Sequence, residues 1–194
     1  MTTKHDLFEQ WKGTTSEASW NEHWLNIWMK ELTNDIINRK WTLLPIEHQS
    51  KRPIQKGWPE RHLELIDAIH DIKLNHNIAV NLGKSNLVAF DYDAEPTEDH
   101  ILLSQFTLTM NTARGIQYFV MDDGTEIAPL NMQFDKPRHN NMYSLIPYSE
   151  TCTKADKETG YCLHNDAHDY RVRTWLNEME PITLKEFLEI IQSI

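Results

Sequence analysis

The chain has 194 residues, 40% of them hydrophobic and 25% charged, which is enough apolar material for one packed domain and argues against disorder. A formal net charge of -10 counts against a dedicated duplex binder, because phosphate neutralisation supplies much of the affinity of such proteins. No apolar run approaches the roughly 20 residues of a membrane helix, Met1 to Asp6 lack a secretory apolar stretch, and two cysteines (Cys152, Cys162) make no disulfide framework, so a cytoplasmic chain with reduced thiols is expected.

Thr14-Thr15-Ser16-Glu17 has the form of a capping box, and Trp20, Trp24, Ile27, Trp28, Leu32 and Ile36 follow at helical spacing. An aromatic stripe of this kind is most often core, less often a partner groove. Trp41 to Ile46 reads as a short strand, followed by a polar loop through Lys51-Arg52-Pro53 to Gly57-Trp58-Pro59. The stretch from Asn38 to His62 holds six Lys/Arg (Arg39, Lys40, Lys51, Arg52, Lys56, Arg61) against Glu47 and Glu60, either a solvated face or a phosphate-tracking patch. Leu63, Ile66, Ile69 and Ile72 suggest a second helix.

Asn77 to Leu82 and Asn86 to Phe90 are strand-like, and Gly83-Lys84-Ser85 between them predicts a hairpin. Phe106 to Met110, Ile116 to Met121 and Met142 to Ile146 are further strands, with Asp122-Asp123-Gly124 a turn. Ser149 to Asp169 is polar and reads as loop. Thr183-Leu184-Lys185-Glu186 is a second capping box and opens a final helix. No repeat or linker interrupts the pattern, which predicts one α+β domain over residues 1–194 with helices flanking a largely antiparallel sheet.

The sharpest local signal is Leu87-Val88-Ala89-Phe90-Asp91-Tyr92-Asp93. Residues two apart on a strand share a face, so Asp91 and Asp93 project together while Phe90 and Tyr92 point away. Two convergent carboxylates suit a hard divalent cation. The same Asp-x-Asp also occurs in nucleotide-sugar glycosyltransferases and phosphatases, or simply caps a turn.

The neighbouring segments narrow the choice. Trp41 to Ile46 with Lys51-Arg52-Pro53-Ile54 and Lys56-Gly57-Trp58, then Asn77 to Gly83, then the acidic strand, resemble in order and spacing the primase–polymerase (prim-pol) domain of the archaeo-eukaryotic primase superfamily. Thr112-Ala113-Arg114-Gly115-Ile116-Gln117-Tyr118-Phe119 resembles that family's second motif, Tyr143 to Ser149 its strand ending in Pro-Pro-Ser, and Gly160-Tyr161 the Gly and Tyr beyond. The resemblance covers residues 36–176, leaving a helical extension (1–35) and a C-terminal helix (177–194). It implies an RNA-recognition-motif-like sheet with a smaller α/β unit, and template-directed synthesis from nucleoside triphosphates with Mg²⁺ or Mn²⁺. It also implies a single-stranded DNA template, service to a mobile element, and work beside a helicase or other replication protein.

Carried onto this chain, the resemblance makes Asp91, Asp93 and Asp135 the metal-binding carboxylates, with Asn131 the alternative to Asp135. Arg114, Gln117, Lys51, Arg52 and Lys56 become the nucleotide or template contacts. Gln117 stands where the family has a phosphate-contacting histidine, and a neutral amide is a weaker phosphate partner than a charged group. A degenerate module that binds nucleotide, single-stranded DNA or a replication partner without polymerising is therefore the rival reading. A zinc site from Cys152, Cys162, His164 and His168 is not expected, because the spacing is poor and no Cys-x-x-Cys knuckle is present. Trp58, beside Lys56 and Arg61, is the tryptophan best placed by sequence to stack on a base.

Overall fold

A computed structural model describes residues 25–30, 33–48, 50–54, 56–60, 64–74, 76–130, 132–147, 149–152, 170–177 and 179–194. The strands in chain order are β1 (Leu43–Ile46), β2 (Asn77–Asn81), β3 (Leu87–Tyr92), β4 (Thr109–Asn111), β5 (Ile116–Met121), β6 (Tyr143–Leu145), β7 (Glu150–Cys152), β8 (Tyr170–Val172) and β9 (Thr174–Trp175). The helices are α1 (Leu65–Lys73), α2 (Glu98–Leu103) and α3 (Leu184–Ser193). The N-terminal capping box, Trp11, Trp20, Trp24, Leu32, Arg61, Leu63, Asn131, Tyr148, Gly160, Tyr161, Cys162, His164 and His168 lie outside the described residues.

Two antiparallel sheets carry the fold, one ordered β1-β2-β6 and the other β3-β5-β4-β9, with β7-β8 a separate ribbon. The α+β class expected from the sequence is the one observed. The alternation of each strand decides where the core sits. Leu43 of β1, Ile78 and Val80 of β2, Leu87 and Ala89 of β3, Met110 of β4 and Phe119 of β5 form one cluster shared by both sheets, closed by Trp28, Trp41 and Ala68. The opposite parity of the four-stranded sheet, with Val88, Phe90, Tyr118 and Val120, packs against Leu103 of α2 and Leu184, Phe187, Leu188 and Ile191 of α3. Burying one leucine-sized side chain contributes roughly 1.5–3 kcal/mol, so these faces dominate the stability.

The expected hairpin between Asn77 and Phe90 does not form. Residues 82–86 do make a tight turn, with the Leu87 N–H donating to the Leu82 carbonyl. But β2 pairs with β1 on one edge and β6 on the other. β3 in turn pairs with β5 on one edge and bridges Arg138 on the other through Ala89. Every edge is already filled, so the two strands diverge into different sheets. β3 also runs on through Asp91 and Tyr92, where its last pairs are Asp91 with Gln117 and Tyr92 with Ile116.

Other expectations meet the structure with small shifts. The strand at Ile116–Met121 and the helix opened by Thr183 are as read. Thr183 accepts from the Glu186 N–H, and the Glu186 carboxylate accepts from the Thr183 N–H, closing the capping box. The strand placed at Phe106–Met110 begins only at Thr109. Within the polar stretch after Ser149, Glu150–Cys152 is a strand paired with Tyr170–Val172. In the N-terminal stripe, residues 25–30 are helical and Trp28 is buried core, while Asn34–Asn38 widen into a π-turn in which the Arg39 N–H donates to the Asn34 carbonyl. Helix α2 carried no clear periodicity. It is started by Thr97, whose hydroxyl accepts from the His100 N–H, and His100 stacks on Tyr92 at 3.7 Å.

Candidate active site

Asp91 lies at the end of β3 on the face that carries Leu87 and Ala89, where the shared core runs out. It is 4% exposed. Directly opposite in the ladder is Gln117 of β5, fully buried on the same face. The Gln117 Nε2 donates to Asp91 Oδ1, and the Gln117 Oε1 accepts from the Ser144 hydroxyl at 2.5 Å. Ser144 belongs to β6 of the other sheet, so one amide ties the two sheets together at the acidic residue. The polarity of the chain is consistent throughout: hydroxyl into carbonyl, amide N–H into carboxylate.

The second oxygen of Asp91 is also taken. Arg138 Nη2 lies 2.6 Å from Asp91 Oδ2. Arg138 is held there by its backbone, which exchanges both N–H···O=C bonds with Ala89 at 2.9 Å. The same segment brings Asp135 alongside, its N–H donating to the Asp91 carbonyl. The Asp135 residue itself is exposed, and among the described residues no three His, Cys, Asp or Glu side chains converge as a metal site. Asp93 is exposed one step beyond the strand and close enough to act on Asp91.

A glycine makes this junction possible. A Cβ on Gly115 would stand 1.9 Å from the Tyr92 carbonyl oxygen and 2.7 Å from that of Ala94. The Thr112–Gly115 turn therefore presses directly on the chain between Asp91 and Asp93. The turn is tied by Thr112, whose hydroxyl accepts from the Arg114 and Gly115 N–H groups at 3.3 and 3.1 Å. It leaves Arg114 exposed beside the cluster.

Charge is concentrated here against the trend of the chain. Burial pushes the Asp91 carboxyl above the ordinary carboxylate range; Arg138 and Arg173 pull it back, Asp93 pushes further and Lys51 pulls. The Lys51 residue is exposed, yet its ammonium is drawn down to about 8, first by loss of water around it and then by Arg173 and Arg138, with Asp93 opposing and Arg114 adding to the fall. Arg173, between β8 and β9, is drawn down to about 10, first by burial. These groups sense one another, so Lys51, Asp91, Asp93, Arg114, Arg138 and Arg173 form one cluster. Arg52 and Lys56 are exposed on the loop after β1.

A cleft of about 240 Å³ opens beside β6, lined by the cations Lys51, Arg138 and Arg173 and by Trp58, Tyr143 and Leu145. Trp58 meets Tyr143 edge-on at 4.8 Å, and the Tyr143 hydroxyl donates to the Lys51 carbonyl at 2.5 Å, which fixes the loop that carries the lysine.

Asp91, Asp93, Lys51, Arg114 and Gln117, which the sequence singles out, lie together in the structure, and Ser144, Arg138 and Arg173 join them unannounced by any motif. The period-two run Arg171-Val172-Arg173 before Trp175 is the one signal that could have pointed to a cation on a strand.

Compared with known families, the chain matches the model for the N-terminal domain of bifunctional DNA primase/polymerases over residues 33–181. No curated protein matches it. No helix among the described residues is long and apolar enough to cross a membrane.

Proposed function

The chain belongs to the bifunctional DNA primase/polymerase family, and from that premise we propose that its acidic cluster is a working nucleotidyl-transfer centre fed by single-stranded DNA template and nucleoside triphosphates. In that reaction a 3′-hydroxyl oxygen bonds to the α-phosphorus of the incoming nucleotide. The bond to the pyrophosphate group breaks, and the hydroxyl proton is lost to solvent. Catalysis of this kind rests on positioning and on charge stabilisation.

The donor set fits a hard divalent cation. Mg²⁺ is commonly held by one or two carboxylates and completed by substrate phosphates, and Asp91 and Asp93 offer such a pair. Asp135 would join as a third only if its exposed side chain turned inward. Bound Mg²⁺ or Mn²⁺ would supply charge stabilisation at the oxygens around phosphorus. The protein's own part is distinct: Gln117 and Ser144 fix the orientation of the Asp91 carboxylate, Lys51 and Arg114 attract the nucleotide phosphates, and Arg52 and Lys56 face the template. The observation that carries the proposal is the buried Ser144–Gln117–Asp91 relay, which holds a carboxylate in one orientation beside a ring of cations.

One observation favours the second reading, a module that binds without polymerising: both oxygens of Asp91 are already engaged, by Gln117 and by Arg138. Primer extension and de novo synthesis on single-stranded template, with Mg²⁺ and Mn²⁺ in separate reactions, separates the two. Synthesis should vanish in the Asp91→Ala/Asp93→Ala protein. Product from that variant, shown to be folded by circular dichroism, would refute the assignment. Nucleotide or single-strand binding by the wild-type chain without any product would establish the binding module instead. A helicase or other replication protein would then be the partner to seek.

A further inference from the structure

Arg173 has a peculiar position. It is 6% exposed, yet neither its Nε nor its Nη1 has a hydrogen-bond partner among the described residues. A buried guanidinium normally finds a carboxylate in bidentate geometry or several carbonyls, because an unpaired buried charge is costly. The carboxylate that could neutralise it, Asp91, is already held by Arg138 at 2.6 Å. Arg173 instead lines the cleft beside β6, which Lys51 and Arg138 line as well.

The local charge count points the same way. Among the described residues, three cations, Lys51, Arg138 and Arg173, line this cleft, and Asp91 is already paired with Arg138. The chain as a whole carries -10, so the cleft runs against its overall charge.

We propose that Arg173 is the principal anchor for the polyphosphate tail of the nucleotide, with Lys51 and Arg138 as its neighbours in the seat and the Trp58–Tyr143 pair as the apolar wall behind it. The proposal rests on the reading of the cleft as a nucleotide site and adds a residue and a property to it. The seat belongs to the polypeptide itself, so it takes a polyphosphate before any metal is bound. The planar fork of Arg173 offers two adjacent donors in the geometry that phosphate oxygens accept.

The test uses the full chain in EDTA and inorganic tripolyphosphate as probe, with affinity read by titration calorimetry. The wild-type protein should bind. Arg173→Gln should weaken binding about tenfold to a hundredfold, the range expected for loss of a charge-assisted contact. Lys73→Ala, on the exposed face of α1, should leave it unchanged. A folded Arg173→Gln protein that binds tripolyphosphate as the wild type does would overturn the proposal, as would no binding to the wild type. If Arg173→Gln does not fold, Arg173→Lys carries the test. It keeps the charge but loses the fork, so a drop of several-fold is expected and equal affinity overturns the proposal. Primer extension run beside it keeps the two ideas apart. Tripolyphosphate binding without synthesis removes the polymerase reading and leaves the seat. Synthesis with unaltered binding in Arg173→Gln removes the seat and leaves the polymerase.

Discussion

Gln117 offers the most direct test of how the acidic residue is held. Replacing it with leucine keeps the approximate volume and removes both bonds. Asp91 Oδ1 then loses its amide donor, and the fully buried Ser144 hydroxyl loses its acceptor. A hydrogen bond to a charged group contributes about 1.5–3 kcal/mol, and a buried hydroxyl left without its partner costs about 1–3 kcal/mol. Leucine recovers roughly 1 kcal/mol of that through its apolar surface. The net expectation is a loss of about 2–4 kcal/mol, a large part of the ordinary 5–15 kcal/mol of a domain. For a chain of this length that corresponds to a fall in Tm of roughly 5–15 °C. Urea denaturation followed by tryptophan fluorescence and far-ultraviolet circular dichroism measures it. Adding Ser144→Ala should cost less in the Gln117→Leu background than in the wild type, because the hydroxyl has already lost its partner. Gln117→His, the residue that the resemblance to the family puts at this position, should be the milder change, since a neutral imidazole also offers one donor and one acceptor. A loss below about 0.5 kcal/mol for Gln117→Leu, the scatter expected of an ordinary surface substitution, would show that the relay does not hold the two sheets together.

Two further outcomes follow from the same geometry. Gly115→Ala forces a methyl group to within 1.9 Å of the Tyr92 carbonyl; overpacking of this kind costs about 1–3 kcal/mol or more, and because it displaces the chain between Asp91 and Asp93 it should reduce synthesis more than stability, read by primer extension beside a thermal melt. Lys51, drawn down to about 8, should be acylated near pH 8 well ahead of the other lysines, by peptide mass spectrometry. Its folded value lies below its unfolded one, so its protonated form is the disfavoured one in the fold: the stability it contributes is complete above about 10.5 and lost as pH falls through about 8. Tripolyphosphate in the cleft should raise that value and slow the labelling, and polyphosphate affinity should decline as pH rises through about 8. Labelling of Lys51 no faster than that of the other lysines would refute the assignment of its surroundings.

Much of the site was legible because its signals are local. Alternation along Leu87 to Tyr92 places Asp91 on the inner face and Phe90 on the helix face, and both follow from a period of two. The cap of α3 is written in Thr183 and Glu186 alone. What escaped is long-range. Gly83-Lys84-Ser85 looks like a hairpin turn because nothing nearby says that β1 and β6 have already occupied both edges of β2. Ser144 is an unremarkable serine until β6 places it over Gln117. Arg173 joins Lys51 and Arg138 only after the chain has returned through β7 and β8. Asp135 was read by its spacing to Tyr143, and spacing located its backbone beside Asp91 but said nothing about where an exposed side chain would turn.

Arg138 gives the acidic centre an occupant of its own. A carboxylate buried as deeply as Asp91 and left bare would cost several kcal/mol, and proteins built around a bound ion often unravel when a chelator removes it. Here the Arg138 guanidinium supplies the counter-charge at 2.6 Å, so the fold does not depend on a bound ion to meet that cost. If the centre takes a divalent ion as proposed, a free cation would have to displace that guanidinium, whereas one delivered bound to a nucleotide would bring phosphates to which Arg138 could turn.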